Sequence, residues 1–271
     1  HRTSRDAELI MRGCAGGYVG AELTNNTGSH LIEIKLRDGE RKKIFIDRQM
    51  ASRSGELMGL LNVVMFAPED LSIVKDGPAE RRRFMDMELS HPAYYYSLQR
   101  YNSALKQRNA LLKEPDRIGP GMLETWDEQL SALGEEIVMD RCEFIDGLST
   151  IAYDLHKSIT GGRERLEIVY EPDIDPEDPE GIYGAMLKAL DRSRAEDLRR
   201  GFTTAGPHRD DIGIALSGID VRTFGSQGQK RTAALSLKLS ELAFIREIKE
   251  EAPVLILDDV LSELDEGRQK L

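Results

Sequence analysis

Between residues 123 and 155, apolar side chains recur in steps of three and four, with one double step of seven: Leu123, Trp126, Leu130, Leu133, Ile137, Phe144, Leu148, Ile151 and Leu155, with charges between them. The period is helical, and a helix sustained over such a stretch reaches on the order of 50 Å at about 1.5 Å per residue. A shorter stripe, Tyr94, Leu98, Tyr101, Leu105 and Leu112, precedes it across the break "EPDRIGPG". Two narrow stripes joined by proline and glycine predict an antiparallel helical hairpin over 92 to about 160. In this reading Tyr94, Tyr95, Tyr96 and Trp126 belong to the seam rather than to a base-stacking platform.

Ahead of the arm the period switches to two. In "HLIEIKLRDGE", Ile32, Ile34 and Leu36 alternate with Glu33, Lys35 and Arg37, and the neighbouring runs "YVGAELTNN" and "RKKIFIDRQ" are separated from it by turn residues. Together they predict an antiparallel meander. A short helix near 52–59 leads into "LNVVMFAPEDL", a buried strand ending before Pro68, and then Pro78 suits the first position of a helix. Beyond the arm, "RLEIVYEPDI" reads as a strand, 173–180 as a solvated acidic loop, 181–200 as a helix and 201–224 as a β-hairpin. The fold class is therefore α/β, with a mixed sheet and a helical lobe.

The 40% hydrophobic content of these 271 residues supplies a core, and the net charge of -11 opposes an indiscriminate DNA coat. Cys14 and Cys142 stand far apart, without metal-ligand or disulfide-framework spacing. No apolar run has the length of a membrane span, which with the cysteine usage points to a cytoplasmic protein.

Two motifs near the end carry chemistry. In "GSQGQKRT", Ser226 caps a helix and Gln229 completes a capping box, while Gly225 and Gly228 ease the turn. The same helix start is an anion pocket: free first-turn N–H groups, the helix dipole and the Ser226 hydroxyl suit a phosphate. About 27 residues on, with Leu235, Leu239 and Leu242 expected on the buried face of the intervening helix, comes "VLILDDVLSELD". Val254–Leu257 predict a fully buried parallel strand ending in Asp258 and Asp259. At that strand end Asp258 suits Mg²⁺, directly or through water, and Asp259 can orient or deprotonate an attacking water; alternatively the pair caps the following turn.

Phosphate-contacting helix, long connector, acidic strand end and "SELD" follow the order of ATP-binding cassette ATPases. Four blocks, "FAPEDLSIVKDGPAERRRFMD", "TAGPHRDDIGIAL", "FGSQGQKRT" and "LILDDVLSELD", resemble the RecF family in sequence and order. The resemblance implies an ABC-ATPase-like (P-loop NTPase) head. Residues 1–86 would form the N-terminal part of its ATPase lobe, 87–200 a helical lobe with the hairpin arm, and 201–271 the return to the ATPase lobe. It makes Ser226, Gln227, Gly228 and Gln229 the signature motif, Asp258 and Asp259 the Walker B pair, and Ser262 to Asp265 the D-loop; Glu69 takes the Q-loop place. It further implies ATP and Mg²⁺ as ligands and an ATP-dependent homodimer acting at single-/double-strand DNA junctions. RecR and RecO are the implied partners, and loading of the RecA recombinase the implied task, with weak DNA-dependent ATPase activity.

No G-x-x-x-x-G-K-[ST] occurs in the chain. By the resemblance, that Walker A loop belongs just ahead of "HRTSRDAELI" and a closing segment follows the D-loop, so this stretch is expected not to hydrolyse ATP alone. DNA-binding candidates are Arg81, Arg82, Arg83 and Lys75, then Arg199, Arg200 and Arg209, although three successive arginines on a helix point in different directions and at least one should be structural. The rival readings are an SMC-like structural head that binds nucleotide without turnover, and a metal-dependent nuclease needing further acidic ligands around Asp258.

Overall fold

The computed structural model describes residues 5–52, 54–57, 60–89 and 91–258. The chain opens with β1 (Gly16–Asn25), β2 (Gly28–Arg37), β3 (Lys43–Ile46) and β4 (Gln49–Met50), an antiparallel meander in that order. The Asn25 side chain closes the first turn by accepting from Thr27 N at 2.9 Å and Gly28 N at 3.1 Å. Strand β5 (Val63–Phe66) stops before Pro68, and α1 (Leu71–Lys75) and α2 (Pro78–Glu88) follow, the latter starting on its proline.

The arm is α3 (Pro92–Leu112) and α4 (Met122–Thr160). Its antiparallel sense is fixed by pairs whose numbers run in opposite directions: Tyr94 with Arg141, Ser97 with Glu136, Arg108 with Asp127. Leu123, Leu130, Leu133, Ile137, Phe144 and Leu148 are buried as the stripe requires, and Trp126 packs half-buried against the core.

Then come β6 (Leu166–Glu171), α5 (Gly181–Arg200), β7 (Asp211–Leu216), β8 (Ile219–Asp220), α6 (Val221–Phe224), α7 (Gln227–Lys249) and β9 (Val254–Leu257). Strands β6, β7 and β8 form an antiparallel sheet, and β5 pairs with β9 in parallel, Val63 opposite Val254 through Phe66 opposite Leu257. The expected hairpin at 201–224 is thus a two-residue pairing; the main partner of β7 is β6, over six residue pairs. The acidic loop is anchored at its start: Ile174 is buried and Asp173 accepts from Gly206 N at 2.8 Å.

Two buried guanidiniums sit inside the arm. Arg108, 0% exposed, donates from Nε to Asp127 at 2.7 Å and from Nη1 to Asp197 at 2.6 Å and Thr203 Oγ1 at 2.9 Å, joining α3, α4, α5 and the loop after α5. Arg141 binds Tyr94, Asp86, Asp210 and the Pro207 carbonyl. Burial works against its charge, yet Tyr94, Asp86, Tyr170 and Asp210 hold its pKa well above the ordinary arginine value. Beside it, burial lowers His208 to about 4, leaving a neutral ring next to the Tyr101 hydroxyl at 2.8 Å.

Helix α7 corrects one expectation. Its buried residues are Thr232, Ala233, Ala234, Ser236, Leu237, Lys238, Ser240 and Glu241, whereas Leu235, Leu239 and Leu242 lie half-buried on its flank. Small side chains let α4 approach closely, and their hydroxyls are satisfied locally: Thr232 donates to Gly228 O, Ser236 to Thr232 O and Ser240 to Ser236 O.

Candidate functional site

The signature turn is built by its own capping chemistry. Ser226, at φ -64° and ψ 162°, is the extended N-cap of α7; its Oγ accepts from Gln229 N at 3.2 Å, and its own N–H donates to Gln229 Oε1 at 2.8 Å. The reciprocal bonds use Ser226 Oγ as an acceptor and leave its proton available to donate outward. The N–H groups of Gln227 and Gly228 lie in the first turn, where a helix offers no acceptor. Both residues are exposed, and a Cβ on Gly228 would meet nothing within 4 Å, so an anion has room to approach. One step earlier the space closes: a Cβ on Gly225 would lie 2.5 Å from the Val221 carbonyl oxygen and 2.9 Å from its Cγ1, so only glycine lets α6 pass directly into the signature turn.

The second part of the site is the carboxyl end of the β5–β9 pair, where ligands of open α/β sheets sit. Asp258 follows β9 and is held by its N–H donating to Phe66 O at 2.9 Å, while its carboxylate is exposed. Glu69, exposed in the short turn after β5, lies beyond the same sheet edge. That turn is fastened by Asp70, which accepts from Ala67 N at 2.8 Å; burial raises its pKa above the usual carboxylate value. Strand β9 is parallel as expected, but Val254, Leu255, Ile256 and Leu257 are 51, 46, 45 and 48% exposed, which corrects the reading of a fully buried strand. Among the described residues β5 is its one strand neighbour, which leaves its other edge open. Asp259 and Asp265, with the rest of the D-loop, lie outside the described residues.

As an acceptor-only, exposed carboxylate at a strand end, Asp258 fits a hard cation that keeps waters and phosphate oxygens in its shell, the habit of Mg²⁺. Among the described residues no three His, Cys, Asp or Glu side chains converge as a metal cage.

The basic candidates separate by burial. Arg81 is removed from any outward role: it is 4% exposed, and its Nε and Nη2 grip the two carboxylate oxygens of Asp211 at 2.6 and 2.9 Å, a bidentate pair inside the protein. Arg82 is half-buried and donates to Asp210 O at 2.7 Å. Arg83 and Lys75 are exposed. Arg199 and Arg200 both bind Glu196, and Arg209 stacks 5.3 Å from the Phe202 ring centroid. Cys142, half-buried, has its thiol pushed up to about 11 by burial, which disfavours the reactive thiolate, and Cys14 is exposed.

No family model matches the chain. It is 44% identical over 277 residues to the DNA replication and repair protein RecF of Agathobacter rectalis, covering 99% of this chain and 74% of that protein. The chain belongs to the RecF family. The RecF of Alkaliphilus oremlandii is 42% identical over 278 residues, with the same coverage. Solved structures agree: the recombination mediator protein RecF-ATP of the RecFOR pathway matches with a TM-score of 0.92 at 36% identity, over 99% of this chain and 74% of that one. The RecF-ATPrS structure matches equally, at 35% identity over 98% of this chain and 73% of that one. The α/β, ABC-ATPase-like head with a helical lobe is therefore the RecF fold. No helix among the described residues is long and apolar enough to cross a membrane.

Three groups escaped the sequence reading: Arg108, Arg141 and Glu164, the last accepting from Gln229 Nε2 at 2.8 Å. For the two arginines a signal existed. The α3 stripe skips from Leu105 to Leu112 and the α4 stripe from Ile137 to Phe144, and the positions that would continue the three-four rhythm are 108 and 141.

Proposed function

We propose that this chain serves a RecF-type ATPase of DNA repair and recombination, in which ATP joins two copies into a DNA-binding dimer. That dimer acts in the cytoplasm at single-/double-strand junctions with RecO and RecR to help load RecA. One observation carries the reading: the turn at the start of α7 presents the Ser226 hydroxyl and the first-turn N–H groups of Gln227 and Gly228 over open space. Nucleotide binding to that turn in trans gives ATP a differential affinity for the dimer, which is what a ligand needs to drive association. Mg²⁺, when bound, supplies neutralisation of phosphate charge; Asp258 would help hold it and Asp259 orient water. Glu69 would sense the nucleotide from the Q-loop position, and Asp265 would contribute from the D-loop. We keep the division into an ATPase lobe (1–86), a helical lobe (87–200) and a returning segment (201–271). The SMC-like structural alternative differs in predicting ATP binding without turnover.

In the full-length protein, Ser226→Arg is expected to raise the ATP concentration needed for dimers by more than about tenfold, because a bulky cation fills the anion pocket, while nucleotide binding to the monomer persists. Analytical ultracentrifugation with and without ATP checks it, and unaltered dimers would refute the trans reading.

For DNA, Lys75 and Arg83 remain the outward candidates. Glutamate at both should weaken duplex binding and flatten the plot of log affinity against log salt by about one unit per lost phosphate contact. An unchanged slope in a fluorescence anisotropy salt series would assign DNA to another face.

A further inference from the structure

The loop leaving the arm ends on a carboxylate aimed at the signature turn. Gly161 and Gly162, at φ 62° and 74°, terminate α4 in the left-handed conformation, and Arg163 Nε ties back to Thr160 O at 2.8 Å. Glu164 is thereby delivered to the first turn of α7. Its Oε1 accepts from Gln229 Nε2 at 2.8 Å. Its second oxygen lies 3.6 Å from Nε2 of buried His156, whose Nδ1 is 2.9 Å from Ser236 Oγ, two turns along α7.

We infer that Glu164 is a positioning residue for the nucleotide-facing turn, an inference that rests on the trans-nucleotide reading above. A glutamine amide has one accepting and one donating end. With Nε2 committed to Glu164, Oε1 must face the Ser226 N–H, and the capping box closes in the single arrangement that frees the Ser226 proton for an incoming anion. Rotation of the amide would set its NH₂ against the Ser226 N–H, donor against donor. A carboxylate near an anion site is electrostatically unfavourable. Its presence here is explained by geometry: it fixes Gln229 and couples the end of the long arm to the turn that meets the nucleotide.

In the full-length protein, Glu164→Ala is expected to raise the ATP concentration for half-maximal dimerisation about fivefold, the effect of a lost cap, with monomer ATP binding unchanged. Glu164→Gln keeps an oxygen that accepts from Gln229 and should return the midpoint to within about twofold of the parent. On a Gln229→Ala background, Glu164→Ala should add nothing, since the two act as one unit. Ser226→Arg measured alongside separates the claims. If it loses dimerisation while Glu164→Ala matches the parent, or if the double variant is additive, the positioning role is overturned and the trans reading stands. If Ser226→Arg dimerises normally, both fall.

Discussion

Replacing Arg108 with methionine should destabilise the fold by about 3–5 kcal/mol, the usual cost of removing one partner from a buried ion pair. The guanidinium is 0% exposed, and its partners Asp127 and Asp197 are 3% and 0% exposed. Its removal takes a charged partner from two buried carboxylates. Arg194 Nη2 still donates to Asp127 at 3.1 Å, and Thr204 N and Oγ1 still donate to Asp197, so the loss falls short of full desolvation of two charges. Thermal unfolding should show a drop on the order of 10 °C. Arg108→Lys should recover little, because one ammonium cannot reproduce a fork that reaches Asp127 from Nε and Asp197 from Nη1. A loss below about 1 kcal/mol would mean that the three helices are held in register by apolar packing alone.

The largest functional effect is expected at Asp258. Asp258→Asn is isosteric and keeps the backbone N–H bond to Phe66 O, so the end of β9 stays in place. It removes the charge offered to a cation whose neutralising effect is worth several kcal/mol. ATP hydrolysis by the full-length protein should fall by about 100-fold or more, equivalent to roughly 2.7 kcal/mol of barrier. A steady-state phosphate-release assay decides it, and a rate within about tenfold of the parent would move the cation to other ligands.

Much of the fold was legible because periodicity is a local property. The arm, the meander, the Pro78 helix start and the 181–200 helix each follow from spacing, proline placement or turn residues within a short window. The signature turn was legible for the same reason, since Ser226 and Gln229 are three residues apart and their reciprocal bonds need nothing else. Where spacing failed, a longer-range contact had prevailed. Leu235, Leu239 and Leu242 are the obvious apolar face of α7, yet the neighbouring α4 selects the small-residue face because it allows closer approach.

The arginine cluster at 81–83 shows the same division at single-residue scale. Sequence presents three equivalent cations; the partner that makes Arg81 internal, Asp211, is 130 residues away. Arg108 and Arg141 occupy the missing beats of two apolar stripes, and their carboxylates come from α4 and α5 for one and from α2 and the loop before β7 for the other. By itself, then, the sequence determined the elements, their caps and the family's ordered motifs, all set by interactions within a few residues. Tertiary structure decided which charges are internal, which face of α7 is buried and that Glu164 holds Gln229, because burial and pairing depend on residues that only the folded chain brings within hydrogen-bond distance.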